Sequence, residues 1–296
     1  MKLLRARFPF TAPSWPAGVP RPAAPRRTGV DFRTDWARRY PARLARAAVL
    51  EAVTRPLVHA VASPTIDGLD RLSAMAAPAI FAANHASHVD TPLLLTALPD
   101  RFRHRIAVAA AADYFFDKRW KGAFHALSIN AIPVERRRAS PQSTRLAADL
   151  LDDGWSLLIF PEGGRSPDGW ARSHEAGTAY LAVRNNVPVV PVHIEGTRRV
   201  LKKGGRGLRP STTTVTFGSP LRPGAGEGAR GFAARIERQI AILADESRCG
   251  FWEARRRSAA GTTPALTGPP AGAWRRSWEL GEGRRRRGTD RRWPPE

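Results

Sequence analysis

The chain has 296 residues and a mass of 32.4 kDa, enough for one large domain or two small ones. Its 48 Lys plus Arg against 26 Asp plus Glu give a net charge of +22, and its single cysteine excludes a disulfide framework or a thiolate metal cage. No apolar run reaches the roughly 18 residues of a conventional membrane-spanning helix, which excludes that class of membrane protein.

Residues 1–29 carry six basic side chains and no acid. The prolines of FPFTAPSWPAGVPRPAAP exclude the apolar helix of a secretory signal, so residues 1–30 are expected to be a disordered basic tail on a cytoplasmic protein. The stretch WARRYPARLARAAVLEAVTRPLVHAVA follows, over residues 36–62. Leu50, Val53, Leu57 and Val61 recur at helical spacing there, with Arg43, Arg46 and Arg55 off the stripe. An amphipathic helix over about 42–62 is expected, either packed on the core or lying on a bilayer with its arginines toward head groups. Pro56 should interrupt or kink it.

Residues 31–250 alternate short apolar runs with helical stretches. The predicted strands are 79–84, 105–111, 129–134, 155–160, 187–194 and 212–218. Several are unbroken apolar runs, as in sheets covered on both faces. Helices are predicted from Thr91-Pro92, from Ser140-Pro141 to Gly154, over HEAGTAYLAVRNN, and over ARGFAARIERQIAILADE, with Thr91 and Ser140 as N-caps. The fold class is α/β, a largely parallel central sheet flanked by helices. Residues 251–296, with eleven Arg against five acids, are expected to be a second disordered tail. Such tails attract nucleic acid or anionic membranes. Abundant Arg, Ala, Gly and Pro also follow from a GC-rich genome, so charge alone names no partner.

Two segments carry chemistry, each directly after an apolar strand. NHASHVD, residues 84–90, places His85 and Asp90 five positions apart. On one regular helix these would diverge by about 140°. They meet only if the chain turns between strand and helix. A carboxylate on one imidazole nitrogen fixes the tautomer and leaves the other free to take a proton. A buried structural histidine, or a metal site from His85, His88 and Asp90, are the other readings of this segment. No H-E-x-x-H pattern and no G-x-S-x-G elbow accompany it. LLIFPEGGRSPDG, residues 157–169, supplies Glu162, Gly163, Gly164 and Arg165. In a parallel sheet both loops open at the carboxyl edge, where ligands bind. Close-approach glycine backbone and a guanidinium there suit a phosphate, and amides near Gly163 suit a tetrahedral oxyanion. A turn with a surface ion pair is the plainer reading of this loop alone.

The order N-H-x-x-x-x-D, IPVERR (132–137), F-P-E-G (160–163) and VPVVPV (187–192) resembles the glycerolipid acyltransferase family typified by 1-acylglycerol-3-phosphate O-acyltransferase, over about residues 45–220. The resemblance implies His85 as base and Asp90 as its support, with Arg136, Glu162, Gly163 and Arg165 binding the acceptor. Gly164 stands where the family usually has Thr, and Glu135 where it usually has Asp. It further implies a lysophospholipid acceptor and an acyl thioester donor, acyl-CoA or acyl carrier protein, with no metal or bound organic cofactor. With no spanning segment, the chain is expected at the inner face of an anionic membrane as a peripheral protein. The competing class is a basic membrane- or nucleic-acid-binding protein with a degenerate core. The intact motifs, and the lack of zinc-finger spacing or an RNP-type aromatic strand, argue against it, and no specific nucleic acid is expected.

Overall fold

The structure, a computed structural model, describes residues 29–135, 140–166, 169–202 and 207–267. Residues 1–28 and 268–296 of the expected tails, and Arg136, lie outside the described residues.

In chain order the elements are α1 (Tyr40–Val49), α2 (Arg55–Ala62), β1 (Pro64–Asp67), β2 (Ile80–Ala83), α3 (Asp90–Ala97), α4 (Asp100–Arg103), β3 (Ile106–Ala111), α5 (Ala112–Phe115) and α6 (Arg119–Ile129). There follow β4 (Ala131–Val134), α7 (Pro141–Asp152), β5 (Ser156–Ile159), α8 (Gly177–Asn185), β6 (Val189–Glu195), α9 (Thr197–Val200), β7 (Thr213–Phe217), α10 (Ala229–Cys249) and α11 (Phe251–Ala259). Seven strands form one sheet in the order β1-β7-β6-β2-β5-β3-β4. Every neighbouring pair is parallel except β6 and β7. The largely parallel α/β sheet read from the sequence is the sheet observed.

Side chains leave a strand alternately, and β2 shows what this does for the core. Phe81 and Ala83 join one buried cluster with α3 and residues Leu50, Val58 and Ala62 of the N-terminal helices. Ile80 and Ala82 join the opposite cluster with α7, α8 and α10. Both faces are dry, so β2 and β6, at the middle of the sheet, are buried along most of their length.

Several elements differ from expectation. Strand β1, PTID, alternates half-buried and exposed residues at the sheet edge and has no apolar run to betray it. The predicted strand 129–134 begins too early. Ile129 closes α6, Asn130 takes the left-handed conformation at φ +51°, and β4 starts at Ala131. Ser140 does cap α7, its hydroxyl accepting from the Ser143 amide at 3.1 Å. Thr91 does not cap α3, which starts at Asp90.

The 42–62 helix is not continuous. Residues Leu50–Thr54 form a π turn in which the Arg55 amide donates to the Leu50 carbonyl, just before Pro56. The turn rotates the predicted stripe. Leu50 is buried whereas Val53 and Leu57 are 58% and 54% exposed. Arg46 turns inward, its Nη1 donating to the Ala37 carbonyl at 3.0 Å and to the last turn of α6 through Leu127 at 3.4 Å. The free carbonyls of a helix carboxyl end, at the negative end of its dipole, attract a cation. Arg43 lies over the Trp155 ring and Arg55 pairs with Glu51.

The boundaries set at 30 and 250 also move. Val30 is buried and Phe32 packs on Phe116. Residues 251–259, expected in the disordered tail, are helix α11, held to α10 by Arg257 on Asp245 at 3.1 Å and by buried Ala254. An arginine count over a whole tail averages this helix away.

Candidate active site

The turn after β2 is fixed by its own polar side chains. Asn84 is clamped to β6, its Nδ2 donating to the Ile194 carbonyl at 2.9 Å while its Oδ1 accepts from the Ile194 amide at 2.7 Å. Ser87 donates its hydroxyl to the Leu201 carbonyl at 2.8 Å. Asp90, fully buried in the first turn of α3, reaches back toward the strand. Its Oδ2 accepts from the Ala86 and Ser87 amides and faces His85 Nδ1, all at 2.8 Å. The bend thus brings together two residues that a straight helix would separate.

An ionised carboxylate only accepts, so Nδ1 carries the proton and donates to Asp90. Nε2 is left as the basic nitrogen. The imidazole lies against Phe160, with ring centroids 4.0 Å apart and planes 21° from parallel. Its ring plane is held between the Asp90 contact and the Phe160 face before any substrate arrives.

The F-P-E-G loop grips the same histidine by its backbone. Glu162 is 4% exposed, and its carboxylate accepts from the His85 amide at 2.9 Å and from the Arg172 amide at 3.0 Å. The Ser166 amide donates to the His85 carbonyl at 2.8 Å. Burial pushes the Glu162 carboxyl up to about 7, against the pull of those two amides. Glu162 therefore braces the two loops, and it also lines the cavity beside His85. Gly163 turns the chain at φ +65° and its amide donates to the Phe160 carbonyl at 3.1 Å, so that amide is not available to an oxyanion.

Arg165 lies beside His88, and its charge adds to the burial that lowers the His88 imidazole to about 4. His88 stacks on Tyr114 and approaches its hydroxyl at 3.4 Å. No group of three or more His, Cys, Asp and Glu is assembled for a metal among the described residues.

His85 opens into a cavity of about 740 Å³ between the carboxyl ends of β2 and β6 and helix α10. Its wall includes Trp170, His193, Arg198, Asp245 and Leu266, residues the sequence reading did not single out. His193 sits in the VPVVPVHI run, where it reads as a strand residue. Leu266 comes from the segment after α11, whose carbonyl accepts from the Ala171 amide at 3.0 Å.

Residues 63–195, which hold both loops, match the acyltransferase family model. That match takes in a little under half of the chain. The chain is 28% identical over 149 residues to 1-acyl-sn-glycerol-3-phosphate acyltransferase from Cocos nucifera, covering 49% of this chain and 46% of that protein. It is 31% identical over 121 residues to the Pseudomonas aeruginosa protein of that name, covering 40% and 46%. The chain thus spans about half the length of the curated relatives it matches. The fold is that of the 1-acyl-sn-glycerophosphate acyltransferase of Thermotoga maritima, with a TM-score of 0.54, 23% identity, and 75% of this chain and 87% of that chain covered.

Proposed function

We propose that this acyltransferase moves a fatty acyl chain from a thioester to the hydroxyl of a lysophospholipid, with 1-acylglycerol-3-phosphate as acceptor and phosphatidic acid as product. His85 Nε2 takes the acceptor's hydroxyl proton as that oxygen attacks the thioester carbonyl. The tetrahedral intermediate collapses with cleavage of the carbon–sulfur bond, and the proton passes from His85 to the departing thiolate. Asp90 is the positioning partner that holds the ring and stabilises the imidazolium. Because thiolate leaves readily, no serine or cysteine nucleophile is needed, and neither a metal nor a bound organic cofactor enters the reaction. The observation that carries this reading is the 2.8 Å contact of Asp90 Oδ2 with His85 Nδ1 at the wall of an open cavity. Arg165 and Arg136 are the proposed ligands of the acceptor phosphate.

Contact with lipid follows from the N-terminal helices. Among the described residues no helix is long and apolar enough to cross a membrane. Helix α1 buries none of its side chains, and Leu44, Val53 and Leu57 of this helical layer are more than half exposed, as are Trp120 and Phe124 of neighbouring α6. An exposed apolar set of this kind, backed by a chain of charge +22, supports peripheral docking on an anionic bilayer, in the proposed setting the cytoplasmic face.

The test is acyl transfer by purified protein to a panel of lysophospholipids with acyl-CoA and acyl carrier protein donors, the product identified by mass spectrometry. A general base contributes about 10²–10⁴-fold, so His85→Ala should lose at least about 100-fold in turnover while remaining folded. Turnover near that of the parent enzyme in this variant would remove His85 as the base.

A further inference from the structure

The cavity continues past His85 along a wall that the proton transfer does not use. Arg198, at the start of α9, has its Nη1 buried there without a hydrogen-bond partner. The guanidinium occupies the space left by Gly169, where a Cβ would come within 2.8 Å of Nη1 and where φ is +105°. His193 and Asp245 line the same wall, each 5% exposed, with Nδ1 of one and Oδ2 of the other unpartnered. Buried polar atoms without partners are costly, so a wall that keeps several of them is built to meet a polar ligand.

The charges identify the kind of ligand. Asp245 is neutralised by Arg257 at 3.1 Å, and Glu195 lies 3.9 Å from Arg248. No ion pair joins Arg198 to a described carboxylate. A guanidinium held in a cavity with no counter-ion among the described residues favours an anion, and its planar fork matches phosphate. Arg165, the acceptor-phosphate candidate, belongs to the His88 side and is not part of this wall. The two substrates of a direct transfer must reach His85 by separate approaches.

We propose that this cavity receives the phosphopantetheine arm of the acyl donor, with Arg198 as the ligand of its phosphate and Asp245 and His193 as partners for its amide and hydroxyl groups. The arm is the chemistry shared by acyl-CoA and acyl carrier protein, and it joins a thioester sulfur to a phosphate through two amides and a hydroxyl. About 740 Å³ lies within the range of small-ligand sites. The proposal rests on the thioester reading above.

The experiment compares the parent enzyme with Arg198→Ala, Arg198→Lys and Ala241→Trp, the last filling the cavity from α10. The donors are acyl-CoA, acyl carrier protein and an acyl thioester of N-acetylcysteamine, which lacks the phosphate. Arg198→Ala should raise KM for both phosphate-bearing donors at least tenfold, with a smaller change in acceptor KM. The preference for those donors over the phosphate-free thioester should shrink by the same factor. Arg198→Lys should recover part of that loss, and Ala241→Trp should also raise donor KM. An effect with acyl-CoA alone would tie Arg198 to the nucleotide phosphates of coenzyme A and overturn the shared-arm assignment. Unmoved donor KM, or a change that falls on the acceptor instead, would overturn the proposal outright. Calorimetric titration of coenzyme A into the same proteins separates the two readings. Arg198-dependent binding by a protein that transfers no acyl chain would sink the acyl-transfer reading and leave the cavity assignment standing.

Discussion

The rim around His85 and the N-terminal helical layer of this chain are held by different forces. At the rim, side-chain carboxylates bind backbone amides. Asp90 gathers Ala86 and Ser87, Glu162 gathers His85 and Arg172, and Asn84 is stapled to Ile194. In the helical layer, Leu50 and Val58 face the core while Leu44, Val53 and Leu57 face outward, and a π turn decides which side is which. A polar rim of this kind fixes geometry within a short stretch of chain and leaves a sequence motif. The helical layer takes its orientation from distant partners, and its apolar spacing alone does not say which face is covered.

The comparison breaks first if the rim proves soft. Asp90→Asn should cost about 2–4 kcal/mol of stability, because a charged acceptor of two buried amides is replaced by a group with one neutral acceptor oxygen. Turnover should fall at least about 100-fold in the same variant, through loss of the orienting and charge-stabilising partner of the base. Denaturant unfolding and steady-state assays read the two effects separately. A variant as stable as the parent would mean that Asp90 does not organise the turn.

Glu162→Gln comes next, at about 1–3 kcal/mol, since one of the two amides then faces an NH₂ group. Its sign with pH is the sharper check. The folded carboxyl is raised to about 7 from its ordinary 4.5, so between those values the folded chain holds a proton that the unfolded chain has released. Its stabilising share is full below 4.5 and is lost as pH rises through 7. Unfolding followed across that window should show the parent losing stability with rising pH more steeply than the Gln variant. Equal slopes would place the titration elsewhere.

Much of the rim was legible because each chemical loop follows an apolar strand and carries its own hydrogen-bonding residues. His85 and Asp90 meet as expected. The bracing role of Glu162 was not legible, because a carboxylate in a loop reads first as a ligand contact, and its two amide partners come from positions distant in sequence. The C-terminal boundary was missed for a related reason. Residues 251–259 carry three consecutive Arg and little apolar periodicity, and the partner that orders them, Asp245, belongs to the preceding helix. Strand β1 escaped because an edge strand of alternating exposure needs no apolar run.

That boundary supplies a third effect of similar size. Ending the chain at 250 removes α11 and leaves buried Asp245 without Arg257, for a cost of about 1–3 kcal/mol in thermal or chemical unfolding. Ending it at 267 keeps that pair, and the difference between the two truncations reads the contribution of α11 together with the segment after it that reaches Ala171. Two truncations of equal stability would contradict a packed α11.

The helical layer should respond least in stability and most in lipid contact. Leu44→Asp and Phe124→Asp replace exposed side chains and should change stability by no more than about 0.5 kcal/mol. Sedimentation with anionic vesicles should nevertheless show clearly weaker binding for both. Undiminished sedimentation would mean that charge alone brings the protein to the bilayer.

The most direct test of the central claim reads the protonation of one ring. Nitrogen-15 NMR of His85, compared between the parent protein and Asp90→Asn, should find the neutral imidazole protonated at Nδ1 and bare at Nε2, with that tautomer preference weakened in the variant. A proton resident on Nε2 of the neutral ring in the parent protein would contradict the account, since the nitrogen meant to accept the acceptor's proton would already hold one.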